Sequence, residues 1–197
     1  MKKYLSIHNI AKIAVLAAIA AVLMIIDVPI FVAPSFYKLD VSDLPCLIGG
    51  FSMGGVPCVF IIIIKIILKL LFKPTSTAFV GEMAALVCSL AFCLPASYIY
   101  KKNRTKKGAI KAMVISTIIV TVVSCLANYL FIIPAYVNLF HMPLEAIIAA
   151  GKEIFPIINN KLDFVLLCVA PFNLIKYILV DILSLVSYKH VSPLLKS

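Results

Sequence analysis

Long apolar runs separated by short polar islands dominate this chain, and they limit it to one kind of backbone. In lipid no water is at hand for a peptide N–H or C=O, so each run must close its own hydrogen bonds as a helix. Hydrophobic residues make up 63% of the 197, and charged residues only 13%. That is the balance of an all-α integral membrane protein with few large loops. The length accommodates one membrane unit of about six spans at about 20 residues each. The formal charge of +10 raises nucleic acid as a partner, but the lysines collect at the ends of apolar runs, and no basic stripe interleaves with aromatics. The charge therefore reads as the cytoplasmic flank of membrane helices.

Orientation fixes how the runs divide. Lys2, Lys3 and Lys12 place the N-terminus inside. The first apolar run exceeds a signal-peptide core, so it reads as a retained span, residues 10–31. The polar loop Lys38-Leu39-Asp40-Val41-Ser42-Asp43-Leu44-Pro45 is then outside. If residues 44–72 were one span, the basic turn Lys101-Lys102-Asn103-Arg104-Thr105-Lys106-Lys107 would be outside as well, against the positive-inside rule. Dividing the run at Gly54-Gly55-Val56-Pro57 restores the rule and gives a short second span, 44–53, and a third, 56–72. The others fall at 78–100, 109–133 (ended by Pro134) and 163–188. Both termini are then cytoplasmic. Residues 135–162 are too broken by polar groups to cross and read as an outer loop with a short amphipathic helix from Leu144 to Glu153.

Ionisable and amide side chains inside spans mark function by default. Glu82, Asn128, Asn173 and Lys176 lie at similar depth beneath the 38–45 loop, which suggests a ligand pocket capped by that loop. Asn173 and Lys176 are three apart and share a helix face. Asn both donates and accepts while Lys only donates, so together they suit a flat ligand edge that alternates carbonyls and N–H groups. The competing reading is inter-helix glue, with Lys176 on Glu82 or Asp181. Lys65 lies deeper, packed, paired or facing a partner, and its replacement is expected to spare ligand binding. Lys69 and Lys73 can snorkel to the outer interface. In span one, Ala14/Ala18 and Ala17/Ala21 form small-residue pairs at a spacing of four, a stripe on which another helix can dock.

Enzyme chemistry finds little support. The histidines are His8, His141 and His190, without metal or triad spacing, and no phosphate-binding glycine loop appears. Cys46, Cys58, Cys88, Cys93, Cys125 and Cys168 form no Cys-x-x-Cys and read as small hydrophobes. No cofactor and no metal is expected.

Four stretches in this order resemble one family: Lys38 to Pro45; Val80-Gly81-Glu82; Asn128-Tyr129-Leu130-Phe131-Ile132-Ile133-Pro134-Ala135-Tyr136; and Pro171-Phe172-Asn173-Leu174-Ile175-Lys176. The chain resembles the riboflavin-specific substrate-binding (S) components of prokaryotic energy-coupling-factor (ECF) vitamin transporters, and Ala14 to Ala18 is similar to their docking motif. It differs at Gly54-Gly55-Val56-Pro57-Cys58, at Ala85 and at Tyr177. The resemblance implies a six-helix subunit of the prokaryotic plasma membrane that binds riboflavin as substrate from outside. It also implies partners, a transmembrane coupling subunit and two cytoplasmic ATPases. Leu39, Asp40, Ser42, Glu82, Asn128, Asn173 and Lys176 are the expected ligand contacts, with Phe36, Tyr37, Leu44 and Tyr136 over the ring system. Ala14, Ala17, Ala18 and Ala21 are the expected docking residues. An S component for another vitamin or flavin remains open, as does a membrane enzyme or structural subunit.

Overall fold

The computed structural model describes residues 6–34, 36–75 and 77–196, with backbone alone for 140 and 188–196. Lys2 and Lys3 lie outside these residues, as do the side chains of Lys189, His190 and Lys196.

Helix α1 (Ile7–Ile25) starts where Ser6 Oγ accepts from Asn9 N at 3.3 Å, a side-chain cap on an open helix end. It stops before Asp27, short of residue 31, because the chain there turns into a two-stranded antiparallel ribbon. Its strands, β1 (Val28–Pro29) and β2 (Lys38–Leu39), pair Val28 with Leu39 and Pro29 with Lys38. α2 (Asp43–Met53) follows, then α3 (Gly55–Phe72). The joint is Gly54 at φ +95°, a conformation open to glycine at little cost.

Helix α4 (Val80–Lys102) and α5 (Lys106–Ala127) form a long hairpin. Thr105 Oγ1 caps α5 by accepting from Gly108 N at 3.0 Å. α5 does not end at Pro134. It continues through a π-helical turn, Asn128–Ile132, into α6 (Ile133–Phe140). Pro134 sits in the first turn of α6, where a missing N–H is tolerated. Residues 135–140, expected in a loop, are therefore helical. α7 (Leu144–Lys152) and α8 (Lys161–Phe164) lead through a second π-helical turn, Val165–Val169, into α9 (Ala170–Lys196).

Five of these helices are long and apolar enough to cross a membrane: 7–25, 55–72, 80–102, 106–139 and 161–187. α2 has 11 residues and is packed against α1, α3, α4 and α9. α5 shows how lipid inverts the usual pattern. Ile110, Val114, Ile118, Val122 and Leu126 stand exposed at every fourth position, while Gly108, Ala112, Ser116, Val120 and Ser124 are buried on the other face. Small inward residues let helices approach closely, and large apolar ones meet the acyl chains.

Candidate functional site

The site begins with the ribbon and the turn into α2. Asp40 Oδ1 accepts from Ser42 N at 2.9 Å, a local turn that aims the other oxygen at α9. There Lys176 Nζ donates to Asp40 Oδ2 at 2.8 Å, both side chains 12% exposed. Burial opposes ionisation of Asp40, but Lys176 and Lys65 with the hydrogen bonds from Lys176 and Ser42 together outweigh it, and the carboxyl is held down at about 2. Tyr37, one residue before β2, reaches across to Asn128 and donates its hydroxyl to Oδ1 at 2.6 Å. Burial raises the Tyr37 pKa well above its ordinary value, so the hydroxyl stays a donor.

Asn128 opens the first π-helical turn, and Asn173 lies just beyond the second. Such turns add a residue to the helical circuit and re-aim the side chains around them. Each amide is then tied to its own helix: Asn128 Nδ2 donates to Ser124 O at 2.8 Å and Asn173 Nδ2 to Val169 O at 2.9 Å. Asn128 Oδ1 is taken by Tyr37, whereas Asn173 Oδ1 accepts nothing among the described residues. Glu82 at the start of α4 is engaged on both oxygens, by Lys69 Nζ at 2.6 Å on Oε1 and by Thr75 Oγ1 at 2.9 Å on Oε2.

These groups surround a cavity of about 320 Å³, the lower end of the range for small-molecule sites. Asp40, Glu82, Asn128, Asn173 and Lys176 all line it, with Phe36, Tyr37, Tyr136 and Phe172 as aromatic wall. Tyr37 packs on Phe36 and Phe172 with ring centroids 5.0 and 5.3 Å apart. Not every expected contact arrives. Ser42 is 2% exposed and accepts from Lys65 below the cavity, Leu39 packs into the apolar cluster around Phe164, and Leu44 packs against the main core. Lys69, Lys73, Asp27 and Lys38 join the wall instead. Lys69 and Lys73, expected at the lipid interface, pair with Glu82 at 2.6 Å and with Asp27 at 3.0 Å. Sequence reading gave no sign of this, because Asp27 and Lys73 are 46 residues apart.

The alanine stripe of α1 is split. Ala14 and Ala18 are exposed, but Ala17 and Ala21 are 0% and 3% exposed and belong to the chain's own core. α1 packs against α2 and α3, so its inward alanines are buried while Ala14 and Ala18 stay open.

Residues 8–188 match the family described as ECF transporter, substrate-specific component. The chain belongs to this family. Its relatives include the riboflavin transporter RibU of Staphylococcus aureus (strain TCH60), 32% identical over 95% of this chain and 92% of that protein. The riboflavin transporter FmnP of Bacillus subtilis (strain 168) is 24% identical over 96% and 94%. A solved structure of the S component of a bacterial ECF transporter superposes with a TM-score of 0.73, at 30% identity, covering 95% of this chain and 97% of that one. As an S component, the chain is a multi-pass protein of the cell membrane, a transporter part and not an enzyme.

Proposed function

We propose that this S component is the riboflavin-specific binding subunit of an ECF importer. The observation that carries the reading is Asn173: its Nδ2 is committed to Val169 O, which leaves Oδ1 as an acceptor on a wall that also holds the donor Lys176. Riboflavin offers a flat ring system with one edge of alternating carbonyls and an imide N–H. Asn173 Oδ1 takes the N–H, and Lys176 with the second N–H of Asn128 serves the carbonyls. Phe36, Tyr37, Tyr136 and Phe172 cover the ring, and Asp40 and Glu82 meet the ribityl hydroxyls. The full-length likeness to proteins named riboflavin transporters supports the same ligand.

Residues 1–197 act as one membrane unit of six membrane segments with both termini cytoplasmic. The basic turn at residues 101–107 lies at the far end of α4 from Glu82, so a cytoplasmic basic turn puts the cavity at the outer surface. α2, about 16 Å long, completes the six inside a jacket of longer helices. A coupling subunit docks on the exposed face carrying Ala14 and Ala18, and two cytoplasmic ATPases supply the energy. Riboflavin is bound as cargo, not as cofactor.

The purified protein in detergent should quench riboflavin fluorescence at nanomolar to low micromolar ligand. Absence of binding at tens of micromolar, or equal binding of thiamine or biotin, would sink the reading. A second ligand, flavin mononucleotide, is favoured by one observation. The cavity wall carries four lysines (Lys38, Lys69, Lys73, Lys176) against three carboxylates (Asp27, Asp40, Glu82), while Asp43, which would repel a phosphate, is sealed below. The same titration with the mononucleotide tests it.

A further inference from the structure

Lys65 sits in the middle of α3 with its side chain 1% exposed and takes no part in the cavity wall. Its ammonium has three protons, and each has a partner: Ser42 Oγ at 3.0 Å, Asp43 Oδ1 at 2.6 Å and Ser89 Oγ at 3.1 Å. Asp43 also accepts from Ser89 Oγ at 2.5 Å and, on its other oxygen, from Tyr177 OH at 3.1 Å. Four helices, α2, α3, α4 and α9, meet at this one carboxylate. A buried ion pair gives little net stability over a well-packed apolar pair of the same volume. Its use therefore lies in what it holds in place.

The network leads to the cavity in short steps. Lys65 grips Ser42 and Asp43; the backbone N–H of Ser42 holds Asp40 Oδ1 at 2.9 Å; Asp40 Oδ2 holds Lys176 Nζ at 2.8 Å. Tyr177, next to Lys176 on α9, is fastened to the same node through Asp43. Two consecutive residues of α9 are thus registered against the segment 40–43, Lys176 through Asp40 and Tyr177 through Asp43.

We propose that Lys65 is a positioning residue for ligand capture: acting through Ser42, Asp43 and Asp40, it sets where Lys176 stands on the cavity wall. This departs from the sequence expectation that Lys65 is irrelevant to binding, and it rests on the riboflavin reading above. A purely architectural lysine would loosen the pocket whatever residue occupies position 176. A positioning lysine loses its effect once position 176 has no ammonium to place.

The test is a double-mutant cycle on riboflavin affinity in the full-length purified protein, with Lys65→Met, Lys176→Met and both together. Lys65→Met should weaken binding about 10-fold in the unmodified chain and less than about 2-fold in the Lys176→Met background. The same fold-loss in both backgrounds overturns the proposal. If Lys65→Met leaves Asp43 too exposed electrically to fold, Ser42→Ala makes the comparison with the Lys65–Asp43 pair intact. It should cost about 3-fold alone and nothing measurable beside Lys176→Met. Loss of riboflavin binding by the unmodified chain would strike the ligand reading instead, so the two failures are distinguishable.

Discussion

Asn173 and Asn128 are built alike, each tied by its Nδ2 to the carbonyl four residues back, but their oxygens have different fates. Removing an acceptor that a buried ligand group needs costs about 1–3 kcal/mol, or about 10–100-fold in affinity. Asn173→Ala should therefore weaken riboflavin binding by that factor and move the melting temperature little, as read by fluorescence titration beside a thermal scan. The Asp40–Lys176 pair predicts a pH profile. Asp40 is held at about 2, below its ordinary 3.8, so its contribution is complete above about 3.8 and is lost as pH falls through about 2. Riboflavin affinity should stay flat from pH 8 to pH 5, and a decline centred near pH 6 would contradict the assignment. Sequence alone picks out these polar residues because lipid makes each one conspicuous. It could not say that Lys176 chooses Asp40 over Glu82 or Asp181, since 136 residues separate the pair.

Among the elements, α5 departs most from sequence expectation. Proline ordinarily closes a helix, but a π-helical turn just before Pro134 absorbs the missing hydrogen bond, and no residue pattern announces such a turn. The break at Gly54 was legible, because one unbroken span would have put the basic turn 101–107 outside, and Gly54-Gly55-Val56-Pro57 offered a place to fold the run. The start of α5 makes a sharper test. A Cβ on Gly108 would collide with the backbone carbonyl of Asn103, which cannot rotate away. Gly108→Ala should lower stability by about 1–3 kcal/mol while leaving riboflavin affinity within about 2-fold, because the cavity is at the other end of the hairpin. Asp181 on α9 behaves differently: Oδ2 accepts from Thr117 at 2.8 Å, but Oδ1 is buried without a partner among the described residues. Asp181→Asn should keep or raise the melting temperature.

For the molecule as a whole, the proposal that a coupling subunit docks on the exposed alanines of α1 makes capture and delivery separable. Ala14→Leu with Ala18→Leu should leave riboflavin binding unchanged and abolish co-purification with the coupling subunit and ATPases. Retained assembly would move the docking face elsewhere. One contact also bears on how firmly the guest is held. The phenol of Tyr37 holds Asn128 Oδ1 at 2.6 Å, so it fixes which way that amide faces. The second N–H of Asn128 is thereby held toward the cavity in one setting. Tyr37→Phe should speed riboflavin release, read by stopped-flow fluorescence, because an amide without that anchor can swing its N–H away from the guest.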